Sequence, residues 1–170
     1  MDFQQAYQNL ENILEDEIRI YRTLLDTVRR EKELIINADI NELNASNEGK
    51  ENMILKLRGL ERLREKAARD LAQLVGAPAE NPKLLEIATK INDPENSKLR
   101  AIHATLALLM SRIRDLNEAN RLLIEGSLKT INGALSAIKE GLGSKPVYGQ
   151  AGTKKEDPSA VAGAFVSKEV

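Results

Sequence analysis

Tyr7, Leu14, Tyr21, Val28 and Ile35 recur every seven residues, and Phe3, Leu10 and Leu24 fill the alternate position. Seven residues are close to two α-helical turns, so such a repeat draws one apolar seam along a helix. That seam must pack against another helix. The pattern predicts a first helix from about Asp2 to Ile36, its seam widened by Ile18 and Leu25 and interrupted by Glu17 and Glu31. Glu15 with Arg19 and Asp26 with Arg30 have the i,i+4 spacing of pairs on the outer faces.

A second helix is predicted from Asp39, which with Glu42 resembles a capping box, to Gly76, a good residue for stopping a helix before Pro78. Its seam reads Met53, Leu57, Leu60, Arg64, Ala67, Leu71 and Leu74. The polar run NASNEGKEN at its start contains Gly49 and is expected to be the weakest part of the bundle. Asn81 and Pro82 signal a short helix running to about Ile91. Asp93 and Pro94 repeat that signal for the longest helix, to about Leu142. Its seam runs Leu99, Ile102, Leu106, Leu109, Ile113, Leu116, Asn120, then Ile124 and Leu128, then Ile131, Leu135, Ile138 and Leu142. The step from 120 to 131 is an eleven-residue unit, where a left-handed supercoil relaxes. Asn120 therefore has two readings: a buried residue that fixes register or oligomeric state, or one that the stutter turns partly to solvent. Gly141, Gly143 and Pro146 end the helix, and 144–170, rich in Gly, Ala, Ser and Lys, reads as a flexible tail.

The fold expected is all-α: an elongated antiparallel helical bundle or coiled coil of three long helices and one short one over 1–143, followed by the tail over 144–170. Only 3% of residues are aromatic, which favours an extended helical body over a compact enzyme core. A net charge of -1 offers no electrostatic pull toward nucleic acid or anionic lipid. With no cysteine, disulfides and thiolate chemistry are excluded. No apolar run reaches the ~20 residues that span a bilayer. The N-terminus carries acid where a signal peptide needs base, so an intracellular, cytoplasmic location is expected.

Catalytic and metal sites are hard to build from these residues. A di-iron carboxylate bundle needs two Glu-x-x-His motifs. The one histidine, His103, has Arg100 three residues before it and reads as a partly exposed helix residue. Glu11, Glu15, Asp16 and Glu17 read as a solvated face near the positive end of the first helix. Arg58, Arg62, Arg64, Lys66 and Arg69 are interleaved with Glu61, Glu65 and Asp70 and read as a solvated, paired face. No catalytic residue, no metal and no cofactor is expected.

Binding is the function such a chain can offer, by lending an apolar surface to a partner's amphipathic helix. Length suggests where. At ~1.5 Å per residue the last helix is about 70 Å long and the first two about 50–55 Å. If the last helix starts beside the start of the first, it overshoots the turn near Asn37 to Ile40. The overshoot carries Ile131, Leu135, Ile138 and Leu142, with Leu128 at its near end, and these are the candidate binding residues. The competing reading is that the bundle covers this row itself, through a shift made by the short helix, or that a homodimer does.

The chain also resembles the FlgN family of flagellar export chaperones. The resemblance is carried by Glu17, Tyr21, Leu24-Leu25, Glu31-Lys32, Asp39 and Leu43, then by Lys50-Glu51 and Leu57-x-x-Leu60-Glu61-x-x-Arg64. It continues in Asn117-x-x-Asn120-x-x-Leu123-Ile124-x-x-x-Leu128, in Tyr148-Gly149 and in the patch Ala160 to Val166. The resemblance implies clients, the hook-filament junction proteins, whose helical terminal segments are held, kept from premature assembly and delivered to the flagellar export apparatus. It implies no cofactor and makes Tyr148 a candidate contact for the export gate. The alternative is a structural coiled-coil adaptor or scaffold.

Overall fold

The computed structural model describes residues 2–143, and among these residues there are four helices, α1 (Phe3–Ile36), α2 (Ile40–Val75), α3 (Leu84–Ala88) and α4 (Glu95–Gly143). Readings placed on 144–170, Tyr148 among them, lie outside the described residues. The chain divides into two compact units, Met1–Gly126 and Ser127–Val170. The first holds α1 to α3 and most of α4. The described part of the second is the last stretch of α4.

Local chemistry explains most of the helix ends. Asp2 closes a full capping box with Gln5, its carboxylate accepting from the Gln5 N–H at 2.8 Å. Asp39 accepts from the Glu42 N–H at 3.2 Å. In the turn between these helices Ala38 is left-handed at φ 53°, a conformation that strains a side-chain-bearing residue by about 1 kcal/mol. Gly76, at φ 70°, ends α2 as expected, and the Ala77 N–H reaches the Ala72 carbonyl at 2.9 Å. The Asp93–Pro94 peptide is cis. Asp93 accepts from the Ser97 hydroxyl at 2.5 Å and its N–H at 3.1 Å, and these bonds hold its carboxyl below the usual range.

Two details differ from the sequence reading. The short helix is confined to Leu84–Ala88, with Lys83 extended at its start and no side-chain cap from Asn81. Burial decides its span: Leu84, Ile87, Ala88 and Ile91 insert into the core, and the residues before them bridge from the end of α2. Leu74 is 49% exposed, because α2 turns Ala67, Ala68, Leu71 and Ala72 inward instead.

Side-chain contacts fix the order of the helices in the first unit. α2 runs antiparallel to α1, since Arg30 meets Glu42 at 3.2 Å and Arg64 meets Glu17 at 3.2 Å. α4 runs parallel to α1, since the Tyr7 hydroxyl donates to the Glu95 carbonyl at 3.5 Å and Asn120 reaches Val28. The core is tightest where α1 begins. Leu10, Leu14, Leu71, Ile87 and Leu99 are all fully buried, each contributing about 2 kcal/mol of hydrophobic stabilisation. Three alanines of α2, Ala67, Ala68 and Ala72, are buried at this end, where their small side chains permit close packing. From Ile40 to Lys66, by contrast, α2 has no buried residue, and this stretch includes NASNEGKEN.

Candidate functional site

Three carboxylates on α1 are buried: Glu11, Glu17 and Glu31. Two of them belong to the acidic cluster read as a solvated face, and the structure corrects that reading. Each is matched by a cation from another helix, because an unpaired charge in the packed seam is too costly to keep. Lys98 of α4 pairs with Glu11. Arg64 of α2 pairs with Glu17. Lys50 of α2 lies 2.7 Å from Glu31, which also accepts from the Ser46 hydroxyl at 3.0 Å. Burial pushes the Glu17 carboxyl up and Arg64 pulls it partly back. Burial likewise raises the Tyr21 hydroxyl.

The outer ion pairs also differ from the spacing-based reading. Arg19 pairs with Asp16 and Arg29 with Asp26, while Arg30 crosses to Glu42 of α2. Within the basic stretch of α2, Arg64 alone pairs among the described residues, with Glu17 and Glu61.

Asn120 is 5% exposed, and its Nδ2 donates to the Val28 carbonyl at 3.0 Å. The side chain is therefore buried and not turned to solvent. Its Oδ1 has no hydrogen-bond partner among the described residues, so the side chain satisfies the helix opposite and leaves its own acceptor unused.

The candidate binding row lies in the second unit. Leu128 is 55% exposed, Ile131 55%, Leu135 52% and Ile138 57%. Their spacing of three and four places them on one face of α4. Leu142 continues the spacing in the same helix, but its side chain is not among those described. Every described residue from Ile124 to Gly141 is exposed.

In the first unit the seam of α1 lies open between α2 and α4. A hollow of about 460 Å³ has Glu17, Tyr21 and Leu24 along it. Ile54, Leu57 and Arg58 of α2 form one wall, and Leu106 and Met110 of α4 the other. His103 also lies on that wall, half-buried. Leu57, read as a packed seam residue, is therefore only half-buried beside the opening. Sequence periodicity missed this groove, because a repeat marks an apolar face without saying whether another element covers it.

Among the described residues no group of three or more His, Cys, Asp or Glu side chains is placed to hold a metal ion. No helix among them is long and apolar enough to cross a membrane. Compared with known families, the chain matches the model described as FlgN protein over residues 1–156. No curated protein and no solved structure matches it.

Proposed function

This chain belongs to the FlgN family of flagellar export chaperones, and from that premise we propose which proteins it serves and with which residues. Its clients are the hook-filament junction proteins. In the cytoplasm it holds their helical terminal segments, prevents premature assembly and passes them to the flagellar export apparatus. No catalytic residue and no cofactor takes part.

The observation that carries this reading is the row Leu128, Ile131, Leu135 and Ile138, four large apolar side chains each more than half exposed on one helical face. An amphipathic helix of a client would bury these residues, which stand at i, i+3, i+7 and i+10. Leu142 extends the proposed row by one more turn. Burying such side chains contributes about 25 cal/mol per Å², which gives a truncated row a measurable loss.

The test is the double variant Ile131→Ser with Leu135→Ser. Client affinity should fall by about tenfold or more, while helical content and melting temperature stay close to the parent's. A large fall in melting temperature with client binding retained would place these side chains in the protein's own core and overturn the assignment. If the parent proves to be a stable homo-oligomer sealed by this row, the scaffold reading replaces it.

Tyr148 is the proposed contact for the export gate. Tyr148→Ala should weaken binding to the export gate and reduce client secretion, while client affinity in solution is unchanged. Normal secretion by that variant removes the residue from the site.

A further inference from the structure

The groove over α1 continues beyond its first hollow. A second hollow of about 490 Å³ shares Tyr21 and Met110 with the first. A third of about 340 Å³ shares Asn117 and Arg121 with the second and reaches Ile35. Together they follow α1 from Glu17 to Ile35, about 27 Å at 1.5 Å per residue, or five helical turns. All of their lining residues belong to the first unit. Ile54 and Met110, both lining the first hollow, remain 41% and 45% exposed.

Charge specifies the occupant. Five carboxylates line the groove, and all are engaged within it: Glu17 and Glu61 by Arg64, Glu31 by Lys50, and Glu118 and Glu125 by Arg121. Three of the five lysine and arginine side chains are used in this way. The other two, Arg58 on the α2 wall and Arg114 on the α4 wall, are exposed and line the groove with no anionic partner among the described residues. We propose that this groove seats one amphipathic helix of a partner protein, with its apolar stripe on Tyr21, Leu57 and Met110 and with acidic residues on both flanks toward Arg58 and Arg114. The seat is separate from the row on α4 and does not depend on what that row binds. The apolar floor supplies the affinity, and the two arginines select the flanking charge.

Two synthetic helical peptides test this on the full chain. They share one leucine stripe and carry either glutamate or lysine on both flanks. The glutamate peptide should bind about tenfold more tightly, the scale expected for two exposed ion pairs and their repulsive counterparts. Arg58→Gln with Arg114→Gln should bring the two affinities together. Ala107→Trp places a bulky ring in the groove from an exposed helix position and should weaken the glutamate peptide at least tenfold. Ile131→Ser with Leu135→Ser should leave its binding unchanged. Equal affinity for the two peptides overturns the proposal, as does glutamate-peptide binding that survives Ala107→Trp or falls with the Ile131 and Leu135 pair. A parent dimer in sedimentation that Ala107→Trp dissociates would give the groove to a second copy and overturn it equally. If circular dichroism shows that Ala107→Trp does not fold, the arginine pair and the two peptides decide the question.

Discussion

Arg64→Leu should lower the unfolding free energy at pH 7 by about 2 kcal/mol, and acidification should restore part of that loss. Removing one partner of a fully buried pair costs about 3–5 kcal/mol. Here the Arg64 side chain is 27% exposed while Glu17 is 7% exposed, so a loss below that range is expected. Glu17 already titrates above the ordinary carboxylate range through burial, with Arg64 opposing. Taking Arg64 away removes the opposing influence and raises it further. A carboxyl whose folded pKa exceeds its unfolded value binds more protons in the folded state. Its burial therefore costs stability above the folded pKa, and the cost fades as pH falls toward 4.5. Glu17→Leu combined with Arg64→Leu should recover most of the loss at pH 7, since no charge is then left without its partner. Urea unfolding of the parent and the two variants at pH 7 and pH 5 measures all of this. A single variant as stable as the parent at pH 7 would show that water reaches Glu17 and that the pair is not a structural constraint.

That pair also shows how far the sequence could be read. The heptads located α1 and α2, and both glutamates stand out as interruptions of a seam. Arg64 stands out as a cation on the facing seam. Neither pattern by itself joins the two. Glu17 with Arg64 and Glu31 with Lys50 obey one antiparallel register, so the interruptions are the residues that align the two helices. A single helix pattern treats a charged seam residue as noise, whereas two facing patterns of opposite sign reveal a contact. The limits of α3 were less legible, because five residues buried by tertiary packing leave too short a period to measure. The three-and-four spacing of Leu128, Ile131, Leu135 and Ile138 on one face of α4 was legible, since it follows from the repeat alone. The groove was not, because whether a seam stays open depends on how far two walls stand apart, which is a property of packing and not of period.

Asn120→Asp should be the more damaging change, with a loss of about 3 kcal/mol at neutral pH. Periodicity leaves Asn120 open between core and solvent, since it stands where the repeat steps by eleven. In the fold its Nδ2 donates across the helix pair to the Val28 carbonyl, and the site is buried. Aspartate keeps the size of the side chain but replaces the donor with an anionic acceptor facing that carbonyl. The hydrogen bond is lost, and a charge is left desolvated beside a dipole of the same sign. Protonation restores a donor, so this variant should regain stability as pH falls through its raised folded pKa. Asn120→Leu separates that electrostatic effect from the role of the amide itself. It forfeits one hydrogen bond of about 1 kcal/mol, relieves the unpartnered Oδ1 and adds apolar surface, so its unfolding free energy should stay within about 1 kcal/mol of the parent's. What it should lose is uniqueness. Beyond Ile113 this amide supplies a side-chain hydrogen bond that sets the height of α4 on α1 within the first unit, and an apolar seam alone permits a slip by one heptad. Amide resonances of residues 110–126 should then broaden or double in Asn120→Leu while the base of the bundle, around Leu14 and Leu99, keeps single sharp peaks. One sharp set throughout would show that leucine packing alone sets the height of α4, and Asn120 would be left with no role in register.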